Sequence, residues 1–388
     1  MFQEKHFFIT NRLTTNNGVN KIVDKNDRWD QSGELHYAPM RTSGAMPVVE
    51  EWNDQAQFEL QVLEKVKNMP PGKRNVVIYF HGFYGDPRKN VGSYMYKVFN
   101  GMKHAYTKDA ALGIGCILHF SWPSGGVREL VDDKAHAQGV SLYKHNLDKI
   151  KKLYDTLKAN NIRLHLMGHS FAMQLFNGFA SQIKPADRQM FDKIFLFAPD
   201  LPYKSIQPGG VVVTDPIHKK EDPNADDERK YDFTRLNQIG GEVHVFWNEF
   251  DYLLYGSTQL KLKAIKKWKK DEYKDPEKRK EHADGHTVLG IMGGTNGQPA
   301  NFYFHDIHNK LKPTEKAFQY RNPNDLGLGL RKEYRAMIAA KKPGVHDFSD
   351  IHAKWNAITS AITGGHKINA HRCMFSTQKV VSTVKSLL

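Results

Sequence analysis

Two cysteines in 388 residues, Cys116 and Cys373, cannot build a disulfide framework, and no Cys-x-x-Cys pair points to zinc. No stretch approaches the ~18 consecutive apolar residues of a membrane span. The opening MFQEKHFFITNR has neither a long apolar run nor a small-residue cleavage site, so no secretory signal is read there and a cytoplasmic location is expected. Internal repeats and low-complexity tracts are also missing. Acidic residues are scarce: 42 Asp and Glu stand against 56 Lys and Arg, leaving a net charge of +14. That excess raises the question of nucleic acid or an anionic surface. No zinc finger, RNP-like strand or basic region with heptads accompanies it, so a nucleic-acid function is not expected. What remains is a globular composition, 40% hydrophobic and 25% charged, which excludes a disordered chain.

Between residues 75 and 250, short β-rich runs alternate with longer helical patterns. The runs are 75–80 (NVVIYF), 114–120, 162–167, 193–197 and 242–247. Leu147, Ile150, Leu153, Tyr154 and Leu157 have the spacing of an amphipathic helix between the second and third runs. Asn160-Asn161 supplies the turn that ends it. Strands separated by helices of this length read as βαβ units, so the fold class is α/β with a mostly parallel sheet. The expected division is an N-terminal extension with an early strand at 6–10 (residues 1–70), an α/β core (71–254), an insertion or cap (255–365) and a C-terminal loop with a closing helix (366–388). The cap region includes a Lys-rich, helix-like run, residues 261–280, with ten bases against four acids.

The segment RLHLMGHSFAMQLFNGFA carries the chemistry. A strand runs into Gly168-His169-Ser170-Phe171-Ala172, and helix formers follow at once. A nucleophile elbow needs this arrangement, a serine on a tight strand-to-helix turn with small neighbours. Ser170 is therefore the candidate nucleophile, although a serine there otherwise serves as a helix cap. Acyl transfer through serine also needs two N–H donors for an oxyanion. The N–H of Phe171 is one; the other is expected from Phe83, in the His81-Gly82-Phe83 loop after an earlier strand. The acid should come next in the chain, then the histidine. Asp251, after the run 242–247, is the first choice as acid, with Asp200 in Ala198-Pro199-Asp200 as the alternative. His371, which opens the loop before the closing helix, is the first choice as base; His366 and His286 stay open. Tyr84 and Trp122, with Phe83 and Phe171, are expected to line an apolar acyl pocket. His305-Asp306-x-His308 has residue types suited to zinc but no partnering motif, so no metal is expected.

These residues resemble the α/β-hydrolase superfamily: YFHGF, MGHSFA, APD, an acid after a late strand and a terminal histidine. More narrowly, the chain is similar to a bacterial branch of esterase- or lipase-like hydrolases. That likeness rests on Thr10-Asn11-Arg12, on FSWPSGG (residues 120–126), on APD and on the closing H-x-x-x-F-S-x-x-x-V pattern from His371 to Val380. It implies Ser170, Asp251 and His371 as nucleophile, acid and base. It departs from the branch in Phe171-Ala172, where Met-Gly is usual, and in the long stretch between Asp251 and His371.

The expected activity is hydrolysis of a carboxylic ester through an acyl-enzyme, with no cofactor and a small-molecule or lipid ester as substrate. Two other readings remain. One is a lipase or phospholipase whose basic insertion contacts an anionic membrane surface. The other is a non-catalytic binding protein on the same fold.

Overall fold

The computed structural model describes residues 6–12, 14–16, 21–23, 32–43, 46–49, 54–82, 113–124, 132–214, 228–247, 251, 254, 257–258, 261–262, 265–267, 269–292, 298–306 and 378–388. Among these are thirteen strands: β1 (His6–Thr10), β2 (Thr14–Asn16), β3 (Lys21–Val23), β4 (His36–Ser43), β5 (Met46–Val49), β6 (Asn75–Phe80), β7 (Ile114–Ser121), β8 (Arg163–His169), β9 (Phe191–Phe197), β10 (Val211–Thr214), β11 (Glu228–Tyr231), β12 (Gly240–Trp247) and β13 (Phe302–Asp306). Five longer helices accompany them: α1 (Gln55–Lys67), α2 (Asp132–Ala159), α3 (Ala172–Gln182), α4 (Pro276–His286) and α5 (Gln378–Leu387).

Nine strands form one sheet in the order β13-β12-β9-β8-β6-β7-β1-β4-β5. From β13 to β1 every neighbouring pair is parallel, whereas β1–β4 and β4–β5 are antiparallel. The parallel part is covered on both faces, which is why its strands read as near-continuous apolar runs. Val76, Ile78 and Phe80 face a core shared with α1, α2 and α3; Val77 and Tyr79 face a second core shared with Val380 and Val384 of α5. The sequence moves from β6 to β7 on one side, then crosses back to β8 on the other, so the chain direction across the sheet reverses at β6. In open α/β sheets a crevice opens outside the carboxyl ends of the strands at such a switch point.

The local signals that set these elements are legible. Asp54 caps α1, accepting from the Gln57 N–H at 2.7 Å. α2 ends at Ala159, and just beyond it Asn161 adopts φ +55° while Ile162 N–H reaches back to the Leu157 carbonyl at 3.0 Å.

Segments on both sides of the expected core contribute to the central sheet. Residues 1–70 are not an appendage, because β1 sits inside the sheet and the Phe58 ring of α1 packs against both Phe7 and Tyr37. Residues 255–365 do not all stand outside the core, because β13 pairs in parallel with β12 along the sheet edge. The Lys-rich run is not one helix. A 3-10 turn at Glu272–Lys274 ends in extended Asp275, which caps α4 from the 276 end. Pro276 enforces that break, since a residue before proline avoids the helical region.

Candidate active site

β8 delivers Ser170 to the carboxyl edge of the sheet at the switch point, and α3 begins two residues later. Ser170 has φ +55°, a left-handed conformation that a non-glycine residue adopts only when its surroundings impose it. Those surroundings are visible. The Ser170 N–H continues the parallel ladder to the Phe197 carbonyl at 2.9 Å, and its own carbonyl accepts from the Asp200 N–H at 3.3 Å. The next step of the ladder, Ala198 N–H to Phe246 O at 2.9 Å, ties the same edge to β12. The first turn of α3 follows the serine directly, and such a turn presents N–H groups that have no acceptor within the helix.

Gly82, two residues past β6, closes the other side. A Cβ built on it would lie 2.9 Å from Ser170 Cβ and 2.9 Å from the His169 carbonyl oxygen. Only glycine lets this backbone approach the serine so closely. The preceding His81 is buried, and both its ring nitrogens are engaged. Nδ1 stands 2.7 Å from the Gly82 carbonyl oxygen, which can only accept, so Nδ1 carries the proton. Nε2 accepts the Trp122 N–H at 3.2 Å. His81 is therefore a neutral imidazole of fixed tautomer, and burial, reinforced by the Arg12 charge, pushes it down to about 3.

Trp122 has a setting different from the pocket wall expected of it. It is fully buried and stacks on two rings, with centroids 5.7 Å from His81 and 5.9 Å from Phe171 and its plane nearly parallel to both. Its indole N–H donates to the His81 carbonyl at 2.8 Å. His81, Trp122 and Phe171, from three separate segments, thus stack next to the serine.

The two candidate acids occupy different environments. Asp200 is buried, and its carboxylate accepts from Ser257 Oγ at 3.1 and 2.9 Å, with Lys261 Nζ 3.7 Å away. Gln174 of α3 holds the Asp200 carbonyl at 2.7 Å. Asp251, beyond β12, is completely buried and accepts the Leu254 N–H at 3.2 Å. Ser257 and Lys261 are partners the sequence does not reveal, because nothing local marks contacts across 57 and 61 residues. His286 is buried at the end of α4, its carbonyl accepting from Thr258 Oγ1 at 3.3 Å. The segment after it runs along the APD loop, with Tyr203 N–H to Thr287 O at 2.9 Å, Leu289 N–H to Leu201 O at 2.7 Å and Gly290 N–H to Pro199 O at 3.0 Å. Phe83, Tyr84, His366 and His371 lie outside the described residues. His305 pairs with His244 at 3.1 Å, and His308 is outside the described residues. Among the described residues no group of three or more His, Cys, Asp or Glu side chains is arranged to hold a metal.

A family model described as an alpha/beta hydrolase of unknown function (DUF900) matches residues 54–292, more than half of the sequence. The chain belongs to this family. As an alpha/beta hydrolase it has the fold that the strand order and elbow already indicate. No curated protein matches the sequence. Among solved structures it is similar to the phospholipase PlaB from Legionella pneumophila, at 11% identity and a TM-score of 0.21. That alignment covers 47% of this chain and only 40% of that one, and so faint a likeness carries no argument. Among the described residues no helix of this family member is long and apolar enough to cross a membrane.

Proposed function

We propose that this alpha/beta hydrolase is a serine esterase that cleaves a carboxylic ester through an acyl-enzyme. The observation that carries the reading is Ser170, held at φ +55° on the strand-to-helix turn with Gly82 against it at the switch point. A left-handed serine there is costly by about 1–3 kcal/mol and is kept where strain serves a site. In the mechanism, His371 takes the Ser170 proton as the hydroxyl attacks the carbonyl, and Asp251 orients the imidazole and stabilises its charged form. The N–H groups of Phe171 and Phe83 hold the oxyanion, and water activated by the same histidine releases the acid. Asp251 is preferred over Asp200 because it is completely buried just beyond β12, the later strand, where the fold presents the acid. The chain's own groups suffice for each of these steps.

The test is covalent labelling. A fluorophosphonate probe should label the protein, and Ser170→Ala should abolish both labelling and turnover of short soluble esters. A wild-type protein that is folded yet never labelled would return the chain to the binding-protein reading.

A lipase or phospholipase at an anionic surface is the second reading, favoured by the exposed Lys266, Lys267 and Lys270. Lys269, Lys274 and Lys278 are paired with acids three residues away, at 3.5, 2.7 and 2.9 Å, which blunts the positive field. Salt-sensitive binding to anionic vesicles would favour this version over the first.

A further inference from the structure

Thr10-Asn11-Arg12 plays no part in the chemistry above, yet Thr10 and Arg12 are completely buried. Thr10 and Arg12 bond directly to the FSWPS segment, and Asn11 reaches it through Gln138. Thr10 Oγ1 donates to the Ser121 carbonyl at 2.7 Å, and Arg12 Nε donates to Ser121 Oγ at 3.1 Å. A terminal nitrogen of Arg12 donates to the Trp122 carbonyl. Asn11 Nδ2 donates to Gln138 Oε1 at 3.1 Å, and Gln138 Nε2 to the Pro123 carbonyl at 3.0 Å. Seams between strands are ordinarily made by apolar side chains. A fully enclosed guanidinium is expensive to desolvate, and apolar replacements of buried ion networks are often neutral or stabilising. Its retention here calls for a role that packing alone does not fill.

That role follows from what Trp122 touches. Its two N–H groups both go to His81, one to Nε2 and one to the carbonyl, and His81 Nδ1 in turn holds the Gly82 carbonyl. We infer that Arg12 is a positioning residue for the nucleophile site, acting through Trp122 and His81 to fix the peptide group of Gly82 against Ser170. The geometry is covalent at its last step. The Gly82 carbonyl shares its planar, trans peptide with the N–H that the esterase reading assigns as the second oxyanion donor, so holding that oxygen would also aim that donor. An oxyanion donor must be aimed before the reaction, since the field of a preorganised dipole costs no reorganisation during it. Arg12 therefore acts on the transition state without touching substrate. The inference rests on the esterase reading for its kinetic consequence, but not for its structural one.

The experiment compares wild type with Arg12→Met, Arg12→Lys and Trp122→Phe, in kinetics, thermal melts and histidine 15N spectra at neutral pH. Arg12→Met should lose about 100-fold in kcat, the scale of one lost oxyanion donor, with KM changed by no more than about threefold. Arg12→Lys, which keeps the charge and one donor, should recover part of that loss. If Arg12→Met does not fold, Trp122→Phe is read instead, because it removes the indole donor to the His81 carbonyl, the next link of the same relay, while keeping an aromatic ring there. A folded variant whose kcat stays within about threefold of wild type, or whose loss is confined to KM, overturns the inference. If the wild type hydrolyses no ester and Ser170 is never labelled, the esterase reading fails separately. The Arg12 inference is then read from His81, which should show a single neutral Nδ1–H tautomer in wild type and a mixture in Arg12→Met. An unchanged spectrum overturns it.

Discussion

Gly139 of α2 and Gly178 of α3 bring two helix backbones into direct contact. A Cβ built on Gly178 would lie 1.9 Å from the His136 carbonyl oxygen, and one on Gly139 would lie 1.9 Å from the Leu175 carbonyl oxygen. Backbone, unlike a flexible side chain, cannot give way at that distance. Gly178→Ala should therefore destabilise the fold by at least the ~1–3 kcal/mol of an overpacked core, although alanine is the better helix former. Equilibrium denaturation measures it. The helix that would shift is the one that starts at the elbow, so activity of the folded fraction should fall as well.

Ser170→Gly tests the strain at the elbow. Glycine adopts the left-handed region without a Cβ penalty, so this variant should be inactive yet more stable than wild type by about 1 kcal/mol. A melt that is unchanged or lower would show that the serine side chain contributes more packing than its backbone costs.

The acids separate by substitution. Asp251→Asn should lower kcat by about 10⁴ with little change in folding, whereas Asp200→Asn should stay within about tenfold of wild type in kcat. The second variant should instead lower the melting temperature, because Ser257 and Lys261 lose a buried carboxylate partner. The reverse pattern would move the acid to Asp200.

Acid should unfold this protein early. Burial pushes the imidazoles of His81 and His119 from 6.5 down to about 3, and that of His165 well below 6.5. Below pH 6.5 the unfolded chain binds protons that the folded chain refuses until near pH 3, so stability is full above that window and is lost as pH falls through it. Each group adds up to about 1.4 kcal/mol per pH unit to the slope. His119→Phe, measured by chemical denaturation across the window, should flatten that slope by about one proton's worth.

The parts of the molecule that were readable beforehand are those whose causes are local. The elbow is a run of five residues whose sizes and order dictate a turn, and it lies where that run predicts. The core strands are buried on both faces and so announce themselves as apolar runs. β13 did not, since FYFHD mixes aromatic and polar residues on an edge strand with one neighbour. The break at Asp275-Pro276 was hidden by the rhythm of lysines on either side. Thr10-Asn11-Arg12 was recognised as a pattern, but its reason lies more than 100 residues away at Ser121 and Trp122. Nothing local to His81 marks a fixed tautomer; only its partners, the Gly82 carbonyl and the Trp122 N–H, reveal it.

The position of β1 between β7 and β4 has a practical consequence. A protein cut to the family-matched residues 54–292 would lose β1, β4 and β5 from one side of the sheet and β13 from the other. β7 and β12, both interior strands, would then become bare edges with apolar faces. Open edges of that kind template pairing between chains. Such a fragment is expected to associate or precipitate rather than behave as an independent unit, and the segment by which relatives are recognised is smaller than the segment that folds.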